Sequence, residues 1–226
     1  MSHSEAPPEP LRDRKFAGER LAERLLGYRD EDPVVLALPR GGVPVAFEIA
    51  RRLGAPLDIL IVRKVGAPSN PEYGLGAVVE GGSRFLDEPR VRAAGYTPRD
   101  LSRTIARELA EVDRRAREYR GGSPPLETHD RTVIVVDDGV ATGGTVLAAL
   151  RAVRARGPRQ VVLALGVAPP DTVELLRPEV DDLVVLLVPP MFFAVGEWYH
   201  RFGQVSDEEV RRLLERSRGS SGVSAT

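Results

Sequence analysis

Three features of this 226-residue sequence predict an α/β fold: a doubly wound, mainly parallel sheet with helices on both faces. Apolar runs of Val, Ile and Leu recur along the chain, in PVVLALP (33–39), RTVIVVDD (131–138), QVVLALGVA (160–168) and DLVVLLVP (182–189). Helical patterns separate most of these runs. Each run is apolar throughout rather than alternating, as strands covered on both faces must be, and that pattern belongs to parallel sheets.

The elements follow in order. RDRKFAGERLAERLLGY (12–28) places Phe16, Leu21, Leu25 and Leu26 along one helical stripe. After the strand at 33–39, GGVPVAFEIARRLG (41–54) reads as a loop entering a helix that Gly54 ends, and LDILIVRK (57–64) as a second strand. Residues 65–84 are rich in Gly, Pro and Asn, with a short apolar run from Leu75 to Val79 suited to a hairpin strand. Thr97-Pro98 opens a long charged helix to about Tyr119, with Leu101, Ile105, Leu109 and Val112 on its apolar face. The strand at 131–138 leads into GGTVLAALRAVRARG (143–157), a helix stopped by Gly157. A strand at 160–168, a short helix in PDTVELLRP (170–178), a final core strand at 182–189 and a terminal helix DEEVRRLLERS (207–217) complete the domain. One domain is expected over 11–217, its core at about 30–190, with disordered tails at 1–10 and 218–226.

Composition excludes several classes of function. The 32 basic and 33 acidic residues leave a net charge of −1, no electrostatic footprint for nucleic acid or an anionic membrane. There is no cysteine, hence no disulfide and no thiolate metal site. No apolar run reaches the roughly 20 residues of a membrane span, and the amino terminus lacks the regions of a secretion signal, so a cytoplasmic protein is expected. His3 and His129 lie in polar stretches, and no nucleophilic triad or H-E-x-x-H metal site is present. All basic residues except Lys15 and Lys64 are arginine.

The chemistry concentrates in VIVVDDGVATGGT (133–145). Adjacent carboxylates at the end of a buried strand repel unless a cation or polyol hydroxyls share their charge, or unless one caps a helix while the other is solvated. The small residues after the pair let backbone N–H groups converge on an anion at a helix start, and Thr142 and Thr145 add hydroxyl donors. A diol on the carboxylates and a phosphate in the cradle would satisfy both halves with one sugar phosphate. The run is neither a Walker A loop nor a dinucleotide fingerprint.

VVDDGVATGGT resembles the phosphoribosyl pyrophosphate (PRPP) motif of type I phosphoribosyltransferases, in its adenine-type form. The resemblance implies that Asp137 and Asp138 meet the ribose hydroxyls, and that Ala141, Thr142, Gly143, Gly144 and Thr145 surround the 5′-phosphate. It implies three further segments in the right order. ALPRGGVPVAFEIA resembles the pyrophosphate loop, with Arg40, Gly41 and Gly42 holding the diphosphate; glycine is expected there for its freedom of dihedral angle. VRKVGAPSNPEYGLGAV resembles the Arg-Lys pair and flexible catalytic loop, which places Arg63 and Lys64 at the pyrophosphate and makes Glu72, in an E-Y-G run, the candidate proton-handling residue. MFFAVGEWYHRFGQ (191–204) holds five of the twelve aromatic residues and resembles the F-x-V-G segment, with Phe193 stacking on the acceptor. A small hood built from 11–29 and 190–217 would complete the fold. PRGGVPVA, VRKVGAP and AVGEWY also resemble a bacterial branch of the family with no assigned acceptor.

The resemblance implies Mg²⁺-dependent transfer of phosphoribose from PRPP to a nitrogenous acceptor, with inversion and release of pyrophosphate. Asp137, Asp138, Lys64 and Glu72 are the expected catalytic group, Mg²⁺ is held through the substrate near Asp137 and Asp138, and the enzyme is a homodimer. The departures narrow the acceptor. Ala141 stands where 6-oxopurine enzymes carry an acid, LALGVAP lacks their lysine, and their late acid falls near His200, with Glu197 the closest carboxylate. Hypoxanthine, guanine and xanthine are therefore not expected, and the acceptor is left open among nitrogenous compounds, purine-like bases included. The competing readings are a PRPP-sensing module without turnover and a sugar-phosphate hydrolase.

Overall fold

The computed structural model of the protein describes residues 9–221; the outer parts of the two expected tails, 1–8 and 222–226, lie outside the described residues. Eight strands run in chain order: β1 (Pro33–Ala37), β2 (Leu57–Ile59), β3 (Val62–Ala67), β4 (Asn70–Val79), β5 (Arg84–Leu86), β6 (Thr132–Asp137), β7 (Gln160–Val167) and β8 (Asp182–Leu187). The α-helices are α1 (Arg14–Arg24), α2 (Gly42–Leu53), α3 (Glu88–Ala93), α4 (Ser102–Arg120), α5 (Gly144–Arg154), α6 (Pro170–Leu176) and α7 (Asp207–Ser221).

The expected parallel sheet has five strands in the order β2-β1-β6-β7-β8, every pair parallel. Its apolar runs are buried on both faces because successive side chains point opposite ways. Val35, Ala37, Ile134, Val136, Val162 and Ala164 cluster with residues of α1, α2 and α7, including Leu21, Ile49 and Leu214. Val34, Leu36, Val133, Val135, Val161 and Leu163 cluster instead with Val146 and Leu150 of α5 and Leu176 of α6. Full burial of a residue such as Ile134 stabilises the fold by about 1.5–3 kcal/mol. β8 is an edge strand with its apolar residues only half-buried, rather than a core strand.

The run at 57–64 is not one strand. Leu60 N–H still donates to Ala37 O of the parallel sheet (2.9 Å), whereas Ile61 O accepts from Glu80 N–H (3.0 Å). The backbone changes partners between those residues, and β3 enters a second, antiparallel sheet, β3-β4-β5. A buried cluster holds the switch point. Arg120, at the end of α4, donates from Nε to both oxygens of Asp58 (2.8 and 3.0 Å), from a terminal nitrogen to Ile59 O (2.8 Å) and to the Glu80 carboxylate. Periodicity cannot show this, because an apolar run reads alike in either sheet.

The long helix also starts later than Thr97-Pro98. Thr97 N–H and Oγ1 both donate to Asp100 Oδ2 (2.8 and 2.7 Å), closing a turn, and α4 begins at Ser102 and ends at Gly121, whose φ is +60°. Leu11 and the 198–200 segment meet beside the end of β7, where Leu11 and Tyr199 cluster with Val167. Leu11 N–H donates to Trp198 O (2.8 Å) and His200 N–H to Leu11 O (2.9 Å). Among the described residues, no helix is long and apolar enough to cross a membrane.

Candidate functional site

β1 and β6 are neighbours in register, with Ala37 beside Val136, so the segments after them leave the sheet side by side. After β1 the chain turns through Pro39–Arg40, a cis peptide, into α2. After β6 it passes Asp137 and Asp138 into α5. The two turns touch. A Cβ on Gly41 would lie 2.1 Å from Asp138 Oδ2, and one on Gly42 would lie 2.5 Å from Val136 O. Gly41 itself has ordinary helical angles (φ −62°, ψ −35°). The need for glycine at 41 and 42 is therefore one of space against the aspartates, not of dihedral freedom.

The 138–143 loop is fastened by its backbone at three points. Tyr199 Oη donates to Asp138 O (2.5 Å), Val140 N–H to Val167 O (2.9 Å) and Thr172 Oγ1 to Ala141 O (2.7 Å). Gly143 takes the left-handed conformation (φ +76°) that the turn into α5 requires. The side chains of Ala141, Thr142 and Thr145 remain exposed. Among the described residues, no side chain caps α5, whose first N–H groups carry the positive end of the helix dipole.

Asp137 and Asp138 each commit one oxygen within the protein. Asp137 Oδ1 accepts from Asp138 N–H (2.9 Å), and Asp138 Oδ2 accepts from Arg14 Nε (2.7 Å). The two carboxyls also share a side-chain hydrogen bond with each other, which helps to hold the Asp137 proton. Burial, together with the adjacent Asp138 charge, pushes the Asp137 carboxyl well above the usual carboxylate range. Burial and the same charge raise Tyr199, which stays a neutral donor.

The antiparallel sheet supplies the opposite wall. A cavity of about 850 Å³ lies between it and α5, lined by Lys64, Glu72 and Gly74 on the hairpin and by Thr142, Gly144 and Thr145 at the helix start. Lys64 Nζ donates to Glu72 O (3.1 Å) and lies 3.5 Å from Glu72 Oε2, with the Glu72 side chain almost fully exposed. Arg63 is not brought to this cavity. Adjacent residues of a strand face opposite sides, and Arg63 Nε donates to Glu108 of α4 (2.6 Å). Burial raises the Glu108 pKa, but the hydrogen bonds from Arg63 and Arg107 outweigh it and hold the carboxyl low.

Arg40 sits beside α2 with its guanidinium 3.7 Å from Asp207, at the start of α7. Phe193 is 79 % exposed and does not line the cavity. Phe202 stacks on Tyr199 instead, with ring centroids 5.1 Å apart. Sequence reasoning does not single out Arg14, nor give Tyr199 its role at Asp138. Arg14 carries no local signal in so arginine-rich a chain, and its partner lies 124 positions away.

The arrangement can accept hydrogen bonds from two neighbouring hydroxyls and receive an anion at a helix start, with a lysine facing that start. Among the described residues, no group of three or more His, Cys, Asp or Glu side chains could hold a metal. Two half-committed carboxylates fit a Mg²⁺ ion only in its usual manner, shared with phosphate oxygens of a substrate.

Comparison with known proteins agrees with the geometry. The family model described as phosphoribosyl transferase domain matches residues 10–192. A Mycobacterium tuberculosis protein named provisionally as a phosphoribosyl transferase is 44% identical over 205 residues, covering 91% of this chain and 46% of that protein. The chain thus spans about half the length of the curated relatives it matches. A uracil phosphoribosyltransferase of Brevibacillus brevis is 31% identical over 81 residues, 36% of each chain. The crystal structure of a protein from Thermus thermophilus superposes with a TM-score of 0.80 at 48% identity, covering 92% of this chain and 98% of that one.

Proposed function

The chain belongs to the phosphoribosyl transferase family, and from that premise we propose that it transfers the phosphoribosyl group of PRPP to a nitrogenous acceptor, with Mg²⁺ and release of pyrophosphate. The observation that carries the proposal is the single loop at 138–143. It joins a pair of adjacent carboxyl groups at one end to a helix start without a side-chain cap at the other, and three hydrogen bonds to its backbone hold it. A ribose 2,3-diol and a 5′-phosphate are the groups such a loop accepts together.

In this reading Asp137 and Asp138 hold the diol and so fix C1 in place. The amides of α5 with Thr142, Gly143, Gly144 and Thr145 hold the 5′-phosphate, while Ala141 leaves its side neutral. Arg40, Gly41 and Gly42 line the diphosphate from the α2 side. Mg²⁺, when bound through the diphosphate near Asp137 and Asp138, supplies charge neutralisation to the leaving group. The acceptor nitrogen attacks C1 as the C1–O bond to diphosphate breaks, and the configuration inverts. Lys64 stabilises the charge gathering on the diphosphate. Glu72 takes the proton that the acceptor nitrogen sheds, and the β3-β4 hairpin excludes water. Arg63 would have to leave Glu108 to take part, so Lys64 is the cation of the pair assigned to this step. Phe193, exposed on the hood, is the face on which the acceptor stacks. Ala141 and the absence of a lysine in 163–169 argue against 6-oxopurines and for another purine-like base. A cytoplasmic homodimer is part of the same proposal.

The experiment is to incubate the protein with Mg²⁺, PRPP and a panel of bases and to measure pyrophosphate release. Release that depends on an acceptor is the expected result. Release without acceptor would identify a hydrolase, and PRPP binding without turnover on any base would identify a sensor.

A further inference from the structure

The paired carboxylates pose an electrostatic problem that the chain itself addresses. Arg14 is the first residue of α1, and its guanidinium reaches the Asp138 carboxylate at 2.7 Å, with both side chains largely buried. Three contacts from two parts of the chain fix it. Nε donates to Asp138 Oδ2, a terminal nitrogen donates to Gly203 O (2.7 Å), and the guanidinium carbon lies 3.9 Å above the centre of the Phe202 ring. The stacking partner is itself held, since Phe202 packs on Tyr199, whose hydroxyl donates to Asp138 O. A planar fork with one edge on a carboxylate and one face on an aromatic ring is an arrangement only arginine makes.

We infer that Arg14 is a positioning residue of this site: it compensates the charge of one aspartate and orients that carboxylate toward a ribose hydroxyl. The inference rests on the PRPP reading for the identity of the hydroxyl, but not for the charge compensation. When both carboxyls are ionised, Arg14 leaves the pair one net negative charge instead of two. The site is thereby biased toward hydroxyl groups and away from a free divalent cation, which enters only with the diphosphate. The hood, formed by both chain ends, is in this way coupled to the ribose position through one side chain.

The test uses the full chain without substrate. Arg14→Gln uncovers the second charge, so its affinity for Mn²⁺ alone is expected to rise roughly tenfold, while its affinity for ribose 5-phosphate falls by about the same factor. Arg14→Lys keeps a charge but not the fork, and is expected to fall between wild type and Arg14→Gln in both measurements. A gain in metal binding is a readout that a merely destabilised fold would not produce. If folded Arg14→Gln binds Mn²⁺ and ribose 5-phosphate as wild type does, the inference is overturned. If Arg14→Gln does not fold, wild type decides alone. Its Mn²⁺ affinity is expected to be on the order of millimolar, as for a weakly charged site, and micromolar binding would overturn the inference. If wild type binds neither PRPP nor ribose 5-phosphate, the transferase reading falls, and the Mn²⁺ measurement still decides the role of Arg14.

Discussion

The two sides of the candidate site are built in opposite ways; the paired aspartates lie outside the lining of the cavity, which the first side reaches through Thr142, Gly144 and Thr145. On the α5 side, the 138–143 loop is pinned by three hydrogen bonds to its backbone, and Gly41 leaves no room for a methyl group against Asp138. On the hairpin side, Lys64 is half-exposed, Glu72 is almost wholly exposed, and they touch little but each other. The first wall is organised before any ligand arrives. The second has its charges on a surface that must approach a ligand to act. Binding of a ribose phosphate therefore belongs to the pinned wall, and assistance to the leaving diphosphate belongs to the exposed one.

The sharpest way to break this division is to remove the acceptors from the pinned wall. Asp137→Asn combined with Asp138→Asn is expected to weaken PRPP binding by roughly a hundredfold or more, since each carboxylate forms a charge-assisted bond to a hydroxyl. Isothermal titration measures it, and an unchanged affinity would remove the whole site assignment. Next in size is the exposed wall. Lys64→Ala is expected to lower kcat/KM by roughly 10- to 1,000-fold while leaving ribose 5-phosphate affinity and Tm as in wild type. A loss of Tm would show that Lys64 is structural. Loss of ribose 5-phosphate affinity would place it on the wrong wall.

Two glycines sharpen the contrast within the pinned wall. A Cβ at Gly41 would lie 2.1 Å from Asp138 Oδ2 and 2.5 Å from its Cγ, so Gly41→Ala must displace the carboxylate or α2. A loss of about 1–3 kcal/mol is expected on denaturant unfolding, with weaker PRPP binding. A Cβ at Gly144 would meet nothing within 4 Å, and its φ is not positive. Gly144→Ala is accordingly expected to change stability by less than about 0.5 kcal/mol. Equal effects at the two positions would mean that the turns do not press on one another.

The same contrast separates what was legible in the sequence from what was not. The parallel sheet could be read because Val34 to Ala37 and Val133 to Val136 are apolar at every position, which only two covered faces explain. The pinned loop could be read because two carboxylates followed by small residues and threonines form one contiguous string. Contacts between distant segments had no such string. Arg14 meets Asp138 from 124 positions away, Tyr199 meets the same residue from beyond β8, and Arg120 gathers Asp58 of β2 and Glu80 just past β4. Arg63 shows the converse. It is adjacent to Lys64 in sequence, but strand geometry turns it to the far side, onto Glu108. The break at Leu60–Ile61 was hidden for a third reason, because a strand that changes sheets keeps its apolar character.

The last expected effect bears on the cost of keeping the pinned wall charged. Burial and the Asp138 charge raise the folded pKa of Asp137 above its unfolded value, even with Arg14 sharing the neighbouring charge. The unfolded chain therefore releases this proton first as pH rises, and stability associated with the protonated form is lost between the ordinary carboxylate value near 4 and the raised folded value. Asp137→Asn keeps the shape without the charge. Its Tm is expected to match wild type at about pH 4 and to exceed it at pH 7 by a few degrees, about 2–4 °C for each kcal/mol recovered. PRPP binding moves the other way. Ionised Asp137 accepts from a hydroxyl more strongly than the neutral acid does, so wild-type affinity is expected to fall as pH drops through the raised pKa, and Asp137→Asn to bind weakly at every pH. Melting curves and titrations across pH 4–8 check both trends. A variant more stable at neutral pH and poorer at binding would show that the charge is retained for the ligand at the expense of the fold. A variant less stable than wild type at pH 7 would show that Asp137 is already compensated, and that the pinned wall needs no ligand to balance it.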